Sequence, residues 1–269
     1  MNNLPPEIID NHILPLLDGT TLTALSSVSS EFRRMIINKD ELWKSICAST
    51  WPLLLPTINS VVSTFPGGYR SFFSNAFPSL HCNNNNNNNN SQFNSIDPPP
   101  IYLLHLIDMY VEGESCPRFT MSKLTEVGLN TNADDYRDIP RLLRVYITEK
   151  TEDWMDYFQD NLKLNWIVIN KTQKYARSLF GPVCKPVSIK RTSMTIEMVY
   201  EKVMPGQCKD YTEMVKCYVK VTCMKSDYDG RNVECFEVGM EDMNGKRVLE
   251  RHANMIILNA FLNGERKKF

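Results

Sequence analysis

Histidines stand at positions 12, 81, 105 and 252, too scattered for their spacing to mark a general base or a set of metal ligands. They read as ordinary surface or core residues. Asp134-Asp135 and Asp138 fall in a polar stretch and read as solvated carboxylates, not an acid–base pair. The eight cysteines (47, 82, 116, 184, 208, 217, 223 and 235) contain no Cys-x-x-Cys, so zinc-site spacing is absent. Cys217 and Cys223 share one face of an alternating segment and read as thiols buried in a core. Gly67-Gly68 precedes Tyr69-Arg70, where a phosphate loop needs Lys-Ser/Thr, and no nucleophile-elbow pattern occurs. The residues therefore assign no catalytic, cofactor-binding or metal-ligating site. The chain is expected not to be an enzyme.

The chemistry that remains is apolar contact. Leu4-Pro5-Pro6-Glu7-Ile8-Ile9 opens the chain, followed by Ile13-Leu14, Leu16-Leu17, Leu22, Leu25, Val28, Phe32 and Leu42-Trp43. Each large apolar side chain left in water forgoes roughly 1.5–3 kcal/mol. A segment of about 50 residues is marginal alone and cannot enclose so many such positions within three short helices. Its surplus surface must be covered by the rest of the chain or by another protein. The polar stretch at 81–100 argues against the rest of the chain alone, so the expectation is an interface.

The elements that carry these residues read as short helices. Pro5 and Pro6 suit a first helical turn, where the missing N–H is not needed. Pro15 ends or kinks that helix. Thr20 or Thr21 is expected to cap the next, Ser29 or Ser30 the third and Asp40 the fourth. Tyr69–Phe77 (YRSFFSNAF) is aromatic-rich and expected to be helical. An Asn run fills 83–90 and Pro98-Pro99-Pro100 follows, so 81–100 reads as a disordered linker. Beyond residue 100 the apolar period changes to two. Val215, Cys217, Val219, Val221 and Cys223 define the clearest strand, at 214–223. Further strands are expected at 142–148 and 164–169, around Ile196, Met198 and Tyr200, and around Phe236, Val238 and Met240. Asn170-Lys171-Thr172 and Asn244-Gly245 mark turns, and a helix closes the chain before Gly264. Successive strands without intervening helices favour antiparallel pairing.

These elements predict an α+β protein with four segments. A helical module spans 1–52, an aromatic helical connector 53–80, the polar linker 81–100, and an antiparallel β domain with a closing helix 101–269. Hydrophobic residues make up 42% and charged residues 23% of the 269, a globular composition. A formal net charge of −1 gives no general pull toward nucleic acid or an anionic membrane. No apolar run approaches the ~20 residues needed to span a bilayer. The start, MNNLPPE, lacks the basic region of a secretory signal. A reducing compartment with free thiols is expected.

Leu4-Pro5-x-Glu7-Ile8, Ile13-Leu14, Leu22, Val28-Ser29, Phe32-Arg33 and Leu42-Trp43 together resemble an F-box. Thr50-Trp51-Pro52, the YRSFFSNAF segment and its Pro78, Asn165–Asn170, Pro186–Ile189 and Glu241–Gly245 resemble a plant F-box family with a poorly characterised β-rich C-terminal domain. The Asn tract is an insertion against that pattern, and Ser29-Ser30 stands where many F-boxes carry Cys-Lys. The resemblance implies a Skp-type adaptor as partner and, through it, a cullin. It implies a non-catalytic, substrate-recruiting subunit of a ubiquitin ligase, in nucleus or cytoplasm, with an unknown protein substrate. Leu4, Pro5, Ile8, Ile13, Leu14, Leu22, Val28, Phe32 and Trp43 would face the adaptor or form the small core behind it. Rival readings are a cullin-independent scaffold, an enzyme behind the F-box, and a small-molecule or carbohydrate module with Trp166 and Tyr200 stacking on a sugar.

Overall fold

The structure, a computed structural model, describes residues 5–51, 59–77, 101–111, 119–127, 154–181, 184–206, 211, 213–225 and 231–263. The expected strand at 142–148 and the linker 81–100 lie outside the described residues. The chain opens with an irregular helical lead-in, α-helical at Pro6–Ile8, π-helical at Ile9–Ile13 and 3-10 at Leu14–Leu16. Pro15 supplies no N–H for a regular turn, and Leu17 leaves the helix in an extended conformation, as its position predicts.

Helix α1 (Gly19–Val28) is capped by Asp18, not by a threonine. The Asp18 carboxylate accepts the Thr21 N–H at 2.9 Å and the Thr20 and Thr21 hydroxyls at 2.6 and 2.9 Å. The threonines already stand inside the first turn, and they donate to an acceptor that carries full charge. Helix α2 (Ser30–Ile37) is capped by Ser29, whose Oγ accepts the Phe32 N–H at 3.4 Å. Helix α3 (Asp40–Thr50) begins after Lys39, which makes no side-chain cap. Asp40, expected as its cap, instead accepts the Tyr69 N–H at 3.3 Å. That bond ties α3 to helix α4 (Gly68–Ala76), the aromatic segment.

Strands β1 (Ile101–Val111), β2 (Phe119–Val127), β3 (Leu162–Asn170) and β4 (Tyr175–Phe180) form one antiparallel sheet in the order β2-β1-β3-β4. Strands β5 (Ser188–Arg191), β6 (Thr195–Pro205), β7 (Met214–Lys225) and β8 (Arg231–Asp242) form a second, in sequence order. Helix α5 (Trp154–Asn161) precedes β3, and α6 (Glu250–Asn263) closes the described chain. The α+β class holds. Both expected turns form: the Asn170 side chain accepts the Thr172 and Gln173 N–H groups at 3.0 and 2.9 Å, and Asp242 accepts those of Asn244 and Lys246 at 2.9 and 2.8 Å.

Two cores stack in three layers. The first lies between the sheets. Leu103, Ile107 and Met109 of β1 and Leu164, Trp166 and Val168 of β3 meet Ile196, Met198 and Tyr200 of β6 and the odd-numbered row of β7. Helix α6 adds Ile256, Ile257 and Leu258 to this core. The second core lies on the opposite face of the first sheet. There Leu106, Ile167, Ile169 and Ala176 pack against the helices through Trp43, Trp51, Phe72 and Phe73. The Ser178 hydroxyl donates to the Ala76 carbonyl across this seam. The helical module is therefore partly covered by its own chain: residues of β1, β3 and β4 supply apolar side chains on both sheet faces. Among the described residues no helix is long and apolar enough to cross a membrane.

Candidate functional site

Sorted by burial, the sequence-designated residues of the helical module fall into distinct sets. Leu14, Leu22 and Trp43 are closed into the helical core with Ile36, Ile46 and Cys47. The Trp43 indole N–H satisfies itself on the Ile36 carbonyl at 3.0 Å. Ile13 and Phe32 are half-buried, and Pro5, Ile8 and Val28 are exposed. Leu4 lies outside the described residues. The structure thus gathers Leu14, Leu22 and Trp43 into one interior cluster and leaves Pro5, Ile8 and Val28 on the outside, at the lead-in and the last turn of α1.

Leu16, which was not among the designated residues, joins the exposed set. It is 83% exposed, Val28 79% and Ile8 42%. Leu14 and Leu16 are two positions apart on one helical turn, so when Leu14 faces the core Leu16 faces away from it. The only sequence signal for it is membership of the apolar run itself.

Three of the described cysteines are held as thiols by burial. Burial pushes the thiols of Cys47, Cys217 and Cys223 up to about 12, so each is a neutral thiol at pH 7. Cys47 donates to the Tyr69 carbonyl at 3.7 Å. Trp166 and Tyr200 are closed inside the sandwich, so neither can stack on a sugar. No group of three His, Cys, Asp or Glu residues that could hold a metal ion occurs among the described residues. A cleft of about 500 Å³ opens between the lead-in and the start of α3, beside Pro15, Leu42 and the Lys39–Asp10 ion pair.

The second candidate surface is the outer face of the second sheet. Lys220 pairs with Glu197 at 2.8 Å, Lys190 with Glu197 at 3.7 Å and Lys216 with Glu241 at 2.6 Å. The Lys220 ammonium holds the Glu197 carboxyl below the usual carboxylate range. The Tyr218 hydroxyl donates to Glu237 at 3.0 Å. Gly239 stands opposite Tyr218, and a Cβ there would lie 2.5 Å from the tyrosine ring, so the ring lies down across the glycine.

Residues 1–49 match the family model described as F-box-like. The chain is 26% identical to F-box protein At2g27310 of Arabidopsis thaliana, over 99% of this chain and 80% of that protein. It is 30% identical to F-box protein At3g44326 of the same plant, over 74% of this chain and 54% of that one. It is 27% identical to probable F-box protein At2g36090, over 97% of this chain and 74% of that one. No solved structure matches the chain.

Proposed function

Starting from the fact that the chain belongs to the plant F-box proteins, we propose that it is the substrate-recruiting subunit of a Skp–cullin–F-box ubiquitin ligase. The observation that carries this reading is a coincidence of two properties in one segment. Residues 1–49 match the F-box-like model, and the same residues expose Leu16 and Val28 beside a core that is already filled. In a segment that matches the F-box-like model, these exposed side chains are the apolar contacts left over for a partner. In this reading Pro5, Ile8, Leu16 and Val28 meet a Skp-type adaptor, and Leu14, Leu22 and Trp43 hold the shape behind them. The adaptor links the chain to a cullin in the nucleus or cytoplasm. The chain acts by proximity: holding a substrate lysine near a charged conjugating enzyme makes transfer effectively unimolecular. No residue of this chain takes part in the bond-making.

The test is co-purification of the full chain with a Skp-type adaptor and its cullin. The Leu16→Asp, Val28→Asp double variant should lose the adaptor while keeping the thermal unfolding midpoint of the parent chain. Adaptor recovery undiminished in that variant would reject the assigned surface. Adaptor recovery without any cullin would reject the ligase in favour of a scaffold.

A further inference from the structure

We propose that Ser193, at the tip of the β5–β6 hairpin, is a phosphorylation site for a serine kinase that reads basic residues, and that its phosphate draws Arg191 away from helix α5. Neither event depends on the ligase role proposed above. The segment reads Lys190-Arg191-Thr192-Ser193. Ser193 is the only serine or threonine of the chain with basic residues both two and three positions before it. Kinases select their substrates largely by such charge patterns.

The structure presents this segment to an enzyme. Strand β5 is an edge strand, paired only with β6 and over four residues, from Ser188↔Val199 to Arg191↔Ile196. A pairing so short can open locally at small cost. The Thr192 N–H donates to the Thr195 carbonyl at 2.9 Å, which leaves Ser193 and Met194 as the turn between them. Arg191, Thr192, Ser193 and Met194 are all exposed. The two hydroxyls at the tip are not equivalent. The Thr192 oxygen accepts the Met194 and Thr195 N–H groups at 3.3 and 3.0 Å and shares a proton with the Thr195 hydroxyl at 2.8 Å. The Ser193 hydroxyl makes no hydrogen bond among the described residues, so it is the nucleophile the turn leaves available.

The basic residues before it are held on the surface. The Arg191 guanidinium donates to Asp156 of α5 at 2.7 Å and also to Gln159, and Lys190 lies 3.7 Å from Glu197. The Arg191 and Asp156 side chains are 38% and 62% exposed, so their pairing is readily exchanged for another anion. A phosphoserine carries nearly two negative charges and three acceptor oxygens. Two residues from Arg191, it is within reach of that long side chain and binds it more strongly than a single carboxylate. Arg191 is the tie between β5 and α5, and α5 leads directly into β3 of the first sheet. Phosphorylation would therefore loosen the link between α5 and the second sheet.

In the transfer, the Ser193 oxygen bonds to the γ-phosphorus of ATP as the bond from that phosphorus to the β–γ bridging oxygen breaks. The bond pair leaves with ADP, and the hydroxyl proton passes to the catalytic aspartate of the kinase. The experiment treats the full chain with magnesium, ATP and a purified serine kinase that modifies the free peptide 188–197. Peptide mapping should place the phosphate on Ser193, and Ser193→Ala should remove it. Lys190→Ala and Arg191→Ala should each lower kcat/KM by about tenfold, the scale of a lost charge pair. In the phosphorylated chain, amides of residues 158–161 should exchange hydrogen about two- to fivefold faster, and Arg191→Ala should reproduce that change without phosphate. A full chain left unmodified at Ser193, or a rate indifferent to both basic residues, overturns the site. Unchanged exchange in α5 after complete phosphorylation overturns the transfer of Arg191.

Discussion

Among the leucines of the helical module, residue type alone does not tell the wall from the surface. Leu14 and Leu22 are closed off while Leu16 stands in solvent. Truncating Leu22 to Ala should cost about 2–5 kcal/mol in urea unfolding, because the cavity has no solvent to fill it. Leu16→Ala should change that stability by no more than about 0.5 kcal/mol. The caps show the same limit of reading. Thr20 and Thr21 have cap chemistry, and only the backbone direction at Asp18 reveals which residue uses it. The Thr20 hydroxyl, followed by the Thr21 N–H, lowers the Asp18 carboxyl from 3.8 to about 2. A pKa depressed on folding means that the stabilisation is present above the unfolded value and is lost as pH falls through the folded one. The helical signal of the chain should therefore weaken between about pH 4 and pH 2, and in Asp18→Ala that component of the acid transition should vanish along with about 1 kcal/mol of stability at pH 7.

Elements were legible where a face alternates and illegible where it does not. The β7 row of Val215, Cys217, Val219, Val221 and Cys223 announces a strand with one buried side, and all five are buried. Strand β1 has apolar residues on both faces because both are covered, so the period of two disappears. Helix α5 spans only eight residues and offers little beyond Trp154 and Phe158, four positions apart and packed edge to face. Helix α4 was readable from its aromatic residues, although its role was not. Phe73 packs on Trp43 at 5.5 Å, Trp51 at 5.6 Å and Phe77 at 4.8 Å between ring centroids. Its ring also occupies the space a Cβ would need at Gly19, at the start of α1. Phe73→Ala should cost about 3–5 kcal/mol in denaturant unfolding. Gly19→Val should destabilise by about 1–3 kcal/mol for the opposite reason, an overfilled joint. On the outer sheet Gly239→Val should act likewise by displacing the Tyr218 ring, and near-ultraviolet circular dichroism of the tyrosine should report it.

Across the whole molecule the fold class could be read from the chain, and the layering could not. A polar stretch between helices and strands suggests two units on a leash, yet the aromatic side of the helices is seated on β1, β3 and β4. Residues 1–52 expressed alone should consequently unfold with a lower midpoint and poorer cooperativity than the same residues in the full chain, because Trp43 and Trp51 lose the neighbours that cover them. An equal midpoint would mean that the seam contributes nothing to the module. Seating also removes a degree of freedom. The helical layer, the first sheet and the second sheet each occupy a thickness set by side-chain packing, about 10 Å from one sheet to the next. In the proposed ligase, a cargo on the far sheet would be carried at a height above the helices that the packed layers set. Such a spacer works as a jig, not a tether: lysines at the matching height on the cargo would be presented repeatedly, and lysines elsewhere would be out of range however tightly the cargo is held.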